Sequence, residues 1–504
     1  MTAGPVRWSV VAAVVMTAIL EVLDSTIVNV ALPHMKASFG ITSDQTVWIL
    51  TSYIVSAVAA MPLTGLLARR YGRRRLIMTA IIGFAAFSAL CGASVSIGMM
   101  VACRIMQGIF GAFLIPLSQS ILFDSFPSEK RGQAMALFGL GVVVAPVLGP
   151  TIGAVLTEHF SWRAVFYVNL PIAALALSLM AGGLPREDVK PAPIDWIGLT
   201  LMILAIGGLQ MTLDLGESRD WFASRLIQIC FALFIFAGAA FLVRGIGNPK
   251  NVIDLKLFRD RSFAAANIAM TGFGLAMFGT LAILPLFVQG LLGFDVLTAG
   301  YLFMPRGLAA GISMVVTGAV LLRLFDPRLL VAVGLVLTGI GNLQLSWLNL
   351  DAGFWNLAWP GVISGMGMGL FFVPMSTVAF QNVSREHQDE ASGLYGVVRQ
   401  IGSSVGIAIV GWQVAQRTQI HWHTLAGHIG ATDPQAQHWA QSLGLSLTSP
   451  EAAGQLTQLI AQQASMLAFR DAFILTGWGA FAMLPVVLLM QKPKLGAGAP
   501  AGAH

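Results

Sequence analysis

Fourteen apolar stretches of about 20 residues or more follow one another along the chain, separated by short polar connectors. The hydrocarbon core of a bilayer takes roughly 20 apolar helical residues to cross, and a chain in lipid must satisfy its backbone internally, as a helix or a closed barrel. The pattern therefore predicts an all-α integral membrane protein with 14 transmembrane helices. The spans fall near 8–33, 46–68, 76–96, 98–123, 133–157, 163–184, 194–215, 224–246, 264–290, 299–322, 329–349, 355–381, 392–415 and 470–490. A content of 56% hydrophobic and only 10% charged residues excludes an ordinary soluble domain. The first stretch lacks a small-residue cleavage site and is expected to be a retained span, not a signal peptide. Cys91, Cys103 and Cys230 all lie in apolar runs without metal-ligand spacing and read as small packing residues.

A formal charge of +6 would suggest nucleic acid in a soluble protein. Here the basic residues are sorted by connector, which is a topology signal, so no nucleic-acid partner is expected. Arg7, the run Arg69, Arg70, Arg73, Arg74 and Arg75, then Lys130, Arg131, Arg186 and Lys190 occupy the start and the first three even-numbered connectors. Arg244, Lys250, Lys256, Arg259, Arg261, Arg323, Arg328, Arg385, Lys492 and Lys494 complete that face. The other face holds Lys36, Arg163, Arg219, Arg225, Arg417 and Arg470. The excess places both termini in the cytoplasm.

Three arginines remain inside spans: Arg104, Arg306 and Arg399. They matter because span 1 carries two carboxylates. Glu21, Ser25 and Asn29 step by four residues and Asp24 lies three after Glu21, so all four share one helical face. An ionised carboxylate facing lipid costs several kcal/mol, so this face meets protein or a water-filled cavity. Two readings follow: a titrating acid that couples protons to transport, with Asp24 leading and Glu21 available to a cationic substrate, or a permanently paired acid fixing span 1 to a neighbour. Arg104, followed by Gln107 and Gly108, is the natural partner, with snorkelling to the interface as its alternative. In span 5, Gly141, Ala145, Gly149 and Gly153 are spaced four apart, a groove for a close helix, and Pro146 and Pro150 bend or stiffen it. In span 13, Arg399 and Gln400 adjoin a Gly-Ser groove, and Arg306 reads as snorkelling outwards.

A repeat is visible as well. Thr64-Gly65 is followed by Arg70, Arg75 and Leu76, and Thr317-Gly318 at the same offsets by Arg323, Arg328 and Leu329. A weaker echo pairs Pro116-x-Ser118 with Pro374-x-Ser376. Internal repeats are a common plan of secondary transporters. The expected division is a six-helix bundle over 1–190, two inserted helices over 191–250, and a second six-helix bundle over 251–504. The basic turn carrying Gly65, Gly72 and Arg73 is mainly a topology anchor, with a gate contact as an added role.

In this order the segments resemble the major facilitator superfamily, specifically its 14-span drug:proton antiporters, over nearly the whole chain. "LDSTIVNVALP" is similar to the family's first-span motif, "RIMQGIFGA" to its fourth-span motif, "APVLGPTIG" to its fifth-span antiporter motif, "LDLGESRDWF" to the segment after the extra seventh span, and "RQIGSSVG" to its thirteenth-span pattern. The resemblance implies proton-coupled efflux of hydrophobic drugs or toxic compounds across a bacterial inner membrane, and hence antibiotic resistance. It assigns proton coupling or cation recognition to Asp24, proton transfer to Arg104, and the antiporter motif to Pro146, Gly149, Pro150 and Gly153. It also implies a tripartite pump with a periplasmic membrane-fusion adaptor and an outer-membrane channel. Two departures stand out: Arg69 occupies a position where the family carries an acid, and Glu21 adds a carboxylate beside Asp24.

The region 417–468 is polar, rich in Gln and Ala, and long enough to fold as a helical hairpin that meets an adaptor. It holds His421, His423, His428 and His438 without nearby Cys or a dense acidic cluster, so neither a metal nor a cofactor is expected. Competing functions are export of one endogenous metabolite, such as a siderophore or lipid precursor, and a membrane sensor. An enzyme is disfavoured because the spans carry no nucleophile or histidine cluster.

Overall fold

The computed structural model describes residues 8–127, 130–181, 183–184, 195–245, 255–384, 387–430, 433–446 and 449–491. Arg7, Arg186, Lys190, Lys250, Arg385, Lys492 and Lys494 lie outside the described residues, as do both expected division points, near 190 and 250. Thirteen helices among the described residues are long and apolar enough to cross a membrane. The predicted fifth span is a further long helix, Arg131–His159, of 29 residues.

In chain order the long helices are α1 (Trp8–Phe39), α2 (Ser43–Ala60, carried on through Thr64–Tyr71), α3 (Arg73–Gly92), α4 (Ile97–Gly111, carried on through Leu114–Ser125) and α5 (Arg131–His159). Then come α6 (Ala164–Tyr167 with Asn169–Ala181), α7 (Trp196–Leu215), α8 (Arg225–Gly245), α9 (Arg261–Pro285) and α10 (Val296–Val316). The last are α11 (Pro327–Leu345), α12 (Phe354–Phe380), α13 (Gln388–His428) and α14 (Pro450–Phe481). Many begin where a polar connector supplies an oxygen to the unsatisfied amides of the first turn. Thr42 and Gln45 form a capping box at α2, Ser96 caps α4, and Asp195, Asp260, Asp295, Asp326 and Ser449 cap α7, α9, α10, α11 and α14. Asp195 is also held by the Arg244 guanidinium at 2.9 Å, which together with the Gly198 amide keeps its carboxyl below the usual range. That bridge ties the start of α7 to the end of α8.

The repeat read in the sequence becomes a repeat of contacts. Each Thr-Gly pair sits near the end of the second helix of its set, α2 or α10, and each glycine lies against the fifth helix of the other set. A Cβ placed on Gly65 would fall 2.6 Å from the Glu390 Cα of α13, and one on Gly318 would fall 2.5 Å from the Gly132 carbonyl oxygen of α5. Only a residue without a side chain lets the backbones approach so closely. At Thr317–Leu321 the chain also widens to a π-helical turn, as it does at Leu286–Leu291 after α9, neither of which the periodicity predicts. Gly65→Ala is expected to push α2 away from α13, because overpacking of this kind costs about 1–3 kcal/mol. Spin labels on the basic ends of the two helices would report a longer distance; an unchanged distance would show that α13 yields locally.

The inserted pair sits between the sets and at the rim. α7 packs against both α2 and α13, and α8 packs against α7. Ile229, Phe236, Leu242 and Val243 of α8 are exposed, as suits a helix that faces lipid. An apolar cleft of about 440 Å³ runs between α2, α4 and α7, lined by Trp48, Val55, Ile105, Ile109, Ile203 and Met211.

The polar region after span 13 is helical, as expected of a hairpin, and its arms are continuous with the helices of spans 13 and 14. α13 continues without a break for 41 residues to His428, and α14 starts at Pro450, with a short helix Pro434–Ser442 between them. His421 Nε2 meets Asp471 Oδ2 at 2.9 Å and Arg417 Nε lies 3.6 Å from the same oxygen, binding the two arms together.

Candidate functional site

Two polar clusters join helices where the surroundings are otherwise apolar. The first is centred on Asp24, which is 0% exposed. Arg104 NH1 of α4 donates to Asp24 Oδ2 at 2.7 Å. Gln107 Nε2 and Asn169 Nδ2 donate to Oδ1 at 2.9 and 2.6 Å. Arg104 is itself 1% exposed, donates from Nε to the Ile49 carbonyl at 3.1 Å, and lies 4.1 Å over the Tyr53 ring. A buried pair of this kind is held only if its remaining hydrogen-bonding groups are served, and here they are. Asn169, which also donates to Ser88 Oγ at 3.0 Å, was missed in the sequence. The signal was there: a lone amide in the otherwise apolar run "FYVNLPIAAL".

The arrangement brings together Asp24, Arg104 and Gln107, as the paired reading of Arg104 implied, and leaves Glu21, Ser25 and Asn29 off the pair. Glu21 is half-buried, with no hydrogen-bond partner among the described residues. It interacts electrostatically with Arg399 of α13, from the other set of helices, as well as with Asp24. Ser25 is half-buried and Asn29 exposed, so the row of Glu21, Ser25 and Asn29 opens along α1 away from the basic end while Asp24 stays closed off.

α5 holds α1 in this position. Its small residues do form the expected groove: Gly141 lies against Val15 and Ile19, Gly149 against Thr26, and Gly153 against Ile27. Pro146 and Pro150 sit inside a continuous helix, half-buried and exposed respectively. The comparable groove in α13 is filled by α9: Gly402 abuts Thr271 and Gly406 abuts Leu275. Arg306 does not snorkel, being only 7% exposed on α10.

The second cluster closes the basic end. Gly72 turns the chain between α2 and α3 at φ +82°, a conformation that favours glycine. Arg73, directly after it, pairs with Asp124 of α4 and donates from Nε to Asp389 Oδ2 of α13 at 2.6 Å. Ser120 donates to the other oxygen of Asp389, and Arg69 pairs with Glu390. The basic turn is thus a contact between the two sets of helices, and Arg69 takes an acid from the opposite set. Asp124, Asp389 and Glu390 were not identified from sequence. The adjacent Asp-Glu pair ahead of span 13 was the available signal, and a weak one, since acids in a first helical turn are common for reasons of dipole alone.

Residues 14–407 match the Major Facilitator Superfamily. The chain is 32% identical over 493 residues to the multidrug export protein EmrB of Escherichia coli K12, covering 96% of this chain and 95% of that one. It is 32% identical over 477 residues to the fatty acid resistance protein FarB of Neisseria gonorrhoeae, covering 94% of each. Among solved structures, the human organic anion transporter MFSD10 shares the fold at a TM-score of 0.59 and 16% identity, over 95% of this chain and 100% of that one. With all-helical architecture, buried intramembrane ion pairing and this match over most of its length, the chain belongs to the major facilitator superfamily.

Proposed function

We propose that the protein exports hydrophobic toxic compounds across a bacterial inner membrane by alternating access, exchanging them for protons. The two six-helix bundles, 1–190 and 251–504, rock about the centre, with 191–250 as the inserted pair. The basic end faces the cytoplasm, and both termini lie there. One observation carries this reading: a closed ionic contact between the bundles at the basic end, with the Glu21–Ser25–Asn29 row of α1 beyond it passing from half-buried to exposed towards the far end. That is the geometry of an outward-facing step. The names of the relatives support the substrate class, multidrug export and fatty acid resistance. The apolar cleft between α2, α4 and α7 gives lipophilic molecules a way in from the bilayer.

Within the site, Asp24 is tied by three hydrogen bonds to Arg104, Gln107 and Asn169. Glu21 has no such partner, and Arg399 is the cation that acts on it electrostatically. Proton exchange in this conformation therefore falls first on Glu21, while the Asp24–Arg104 pair fixes α1 to α4 and α6 and responds to the charge of Glu21. Each charge carried through a 100 mV potential is worth about 2.3 kcal/mol, ample to bias two conformations. The α13–α14 hairpin is the surface offered to a membrane-fusion adaptor, which continues the route to an outer-membrane channel.

The test is efflux of a lipophilic dye from proteoliposomes driven by an imposed pH gradient. Glu21→Gln is expected to lose gradient-driven efflux and keep dye binding, whereas Asp24→Asn loses both efflux and stability. A Glu21→Gln protein that pumps like the parent would remove proton coupling from this face.

A further inference from the structure

The inserted helix α7 carries a half-buried acid, one of whose oxygens is fully buried, that the transport reading does not use. Gln210 of α7 is 0% exposed, and its Nε2 donates to Asp214 Oδ1 one turn further on, at 2.8 Å, and to Ser404 Oγ of α13 at 2.6 Å. The other oxygen of each group, Asp214 Oδ2 and Gln210 Oε1, is buried with no hydrogen-bond partner, and the Ser404 hydroxyl is the other polar group beside the Asp214 carboxyl. Both are acceptors when the carboxyl is ionised, and two neighbouring acceptors without a donor are costly. Charged and titratable groups lie on every element packed against α7. Among them are Asp44 and Tyr53 on α2, Arg225 and Arg244 on α8, Tyr395, Arg399 and Arg417 on α13, and Glu217, Arg219 and Asp220 in the following turn. None forms an ion pair with Asp214.

One proton supplies the donor that both oxygens lack. A protonated Asp214 donates from Oδ2 to Gln210 Oε1 while Oδ1 accepts from Nε2, closing a carboxylic acid–amide ring. We propose that Asp214 is a second proton-binding carboxyl, that its proton closes this ring with Gln210, and that the ring holds α7 to Ser404 of α13. Loss of the proton leaves an uncompensated carboxylate at the α7–α13 contact and drives the helices apart to let water in. The inserted pair then takes part in the cycle instead of merely filling space at the rim. This deepens the transport reading, and its test separates the two.

The measurement is infrared absorption of the reconstituted protein at neutral pH. A protonated-carboxyl band is expected that disappears in Asp214→Asn and persists in Glu21→Gln. Asn can form the equivalent amide–amide ring, so Asp214→Asn is expected to fold normally. In Gln210→Leu the band moves to higher frequency, because Oδ1 loses its donor. The number of protons exchanged per dye molecule is expected to fall by one in Asp214→Asn. A spectrum without an Asp214-dependent band would show that the group is ionised and served by water or a cation, and would overturn the proposal, as would an unchanged proton count. Failure of Glu21→Gln to alter transport leaves the infrared result intact, so the two readings fail independently.

Discussion

Arg104→Ala is expected to abolish efflux and to destabilise the protein by about 3–5 kcal/mol, the usual penalty for stranding one member of a buried ion pair. Asp24 is 0% exposed, and removal of the guanidinium leaves its charge served only by the amides of Gln107 and Asn169. The Ile49 carbonyl and the face of Tyr53 lose their partner at the same time. Denaturation in detergent reads the stability and proteoliposome efflux reads the function. A neutral pair separates the two roles. Asp24→Asn with Arg104→Gln keeps hydrogen-bonding groups in place without charge, and replacing both charges of a buried pair is often close to neutral for stability. The double variant is expected to recover most of the stability and none of the gradient-driven transport. Recovery of both would reduce the pair to a structural tie, and an Arg104→Ala protein as stable as the parent would contradict the geometry altogether.

Reversing charge at Arg73 is the second large effect. Its guanidinium binds acids from both sets of helices, Asp124 on α4 and Asp389 on α13. Arg73→Glu turns two attractions into two repulsions at a contact where truncating one charged partner alone costs about 2–5 kcal/mol. A shift of about 5.5 kcal/mol converts a 99:1 population into 1:99. The variant is therefore expected to rest with its basic end open, as a longer spin-label distance between α3 and α13, and to lose efflux. Adding Asp389→Arg rebuilds an opposite-charge pair across the same contact and is expected to restore the shorter distance and a substantial part of the transport. An unchanged distance in Arg73→Glu would mean that helix packing at Gly65 and Gly318 closes this end without the ions.

Sequence reasoning reached the helical architecture because lipid imposes it: length and hydropathy alone define a span. It reached the Asp24–Arg104 relationship for a similar reason, since a buried charge of each sign needs a partner and few were on offer. It also allowed the paired reading of Asp24, which is the arrangement found, while giving the titrating role to that residue ahead of Glu21. What stayed out of reach depended on tertiary contact. Arg69 and Glu390 are 321 residues apart and Arg73 and Asp389 are 316 apart, and no local pattern encodes such separations. Asn169 carries no charge and so did not declare a need. Hydropathy alone does not give the join of the hairpin arms to α13 and α14, because the arms are polar; there Asp471 holds them together through His421 and Arg417.

α13 runs unbroken from Gln388, beside the acids that hold the basic end shut, to His428 in the far hairpin. At 1.5 Å per residue its 41 residues form a rod roughly 60 Å long, about twice the thickness of the hydrocarbon core. Such a rod is a lever. A tilt of about 10° about its inner end carries the outer tip through roughly 10 Å, so a load hung on the tip works against the motion of the whole helix. Any body that grips the hairpin thereby acts as a brake or an escapement on a contact some 60 Å away, without touching the cavity or anything carried in it.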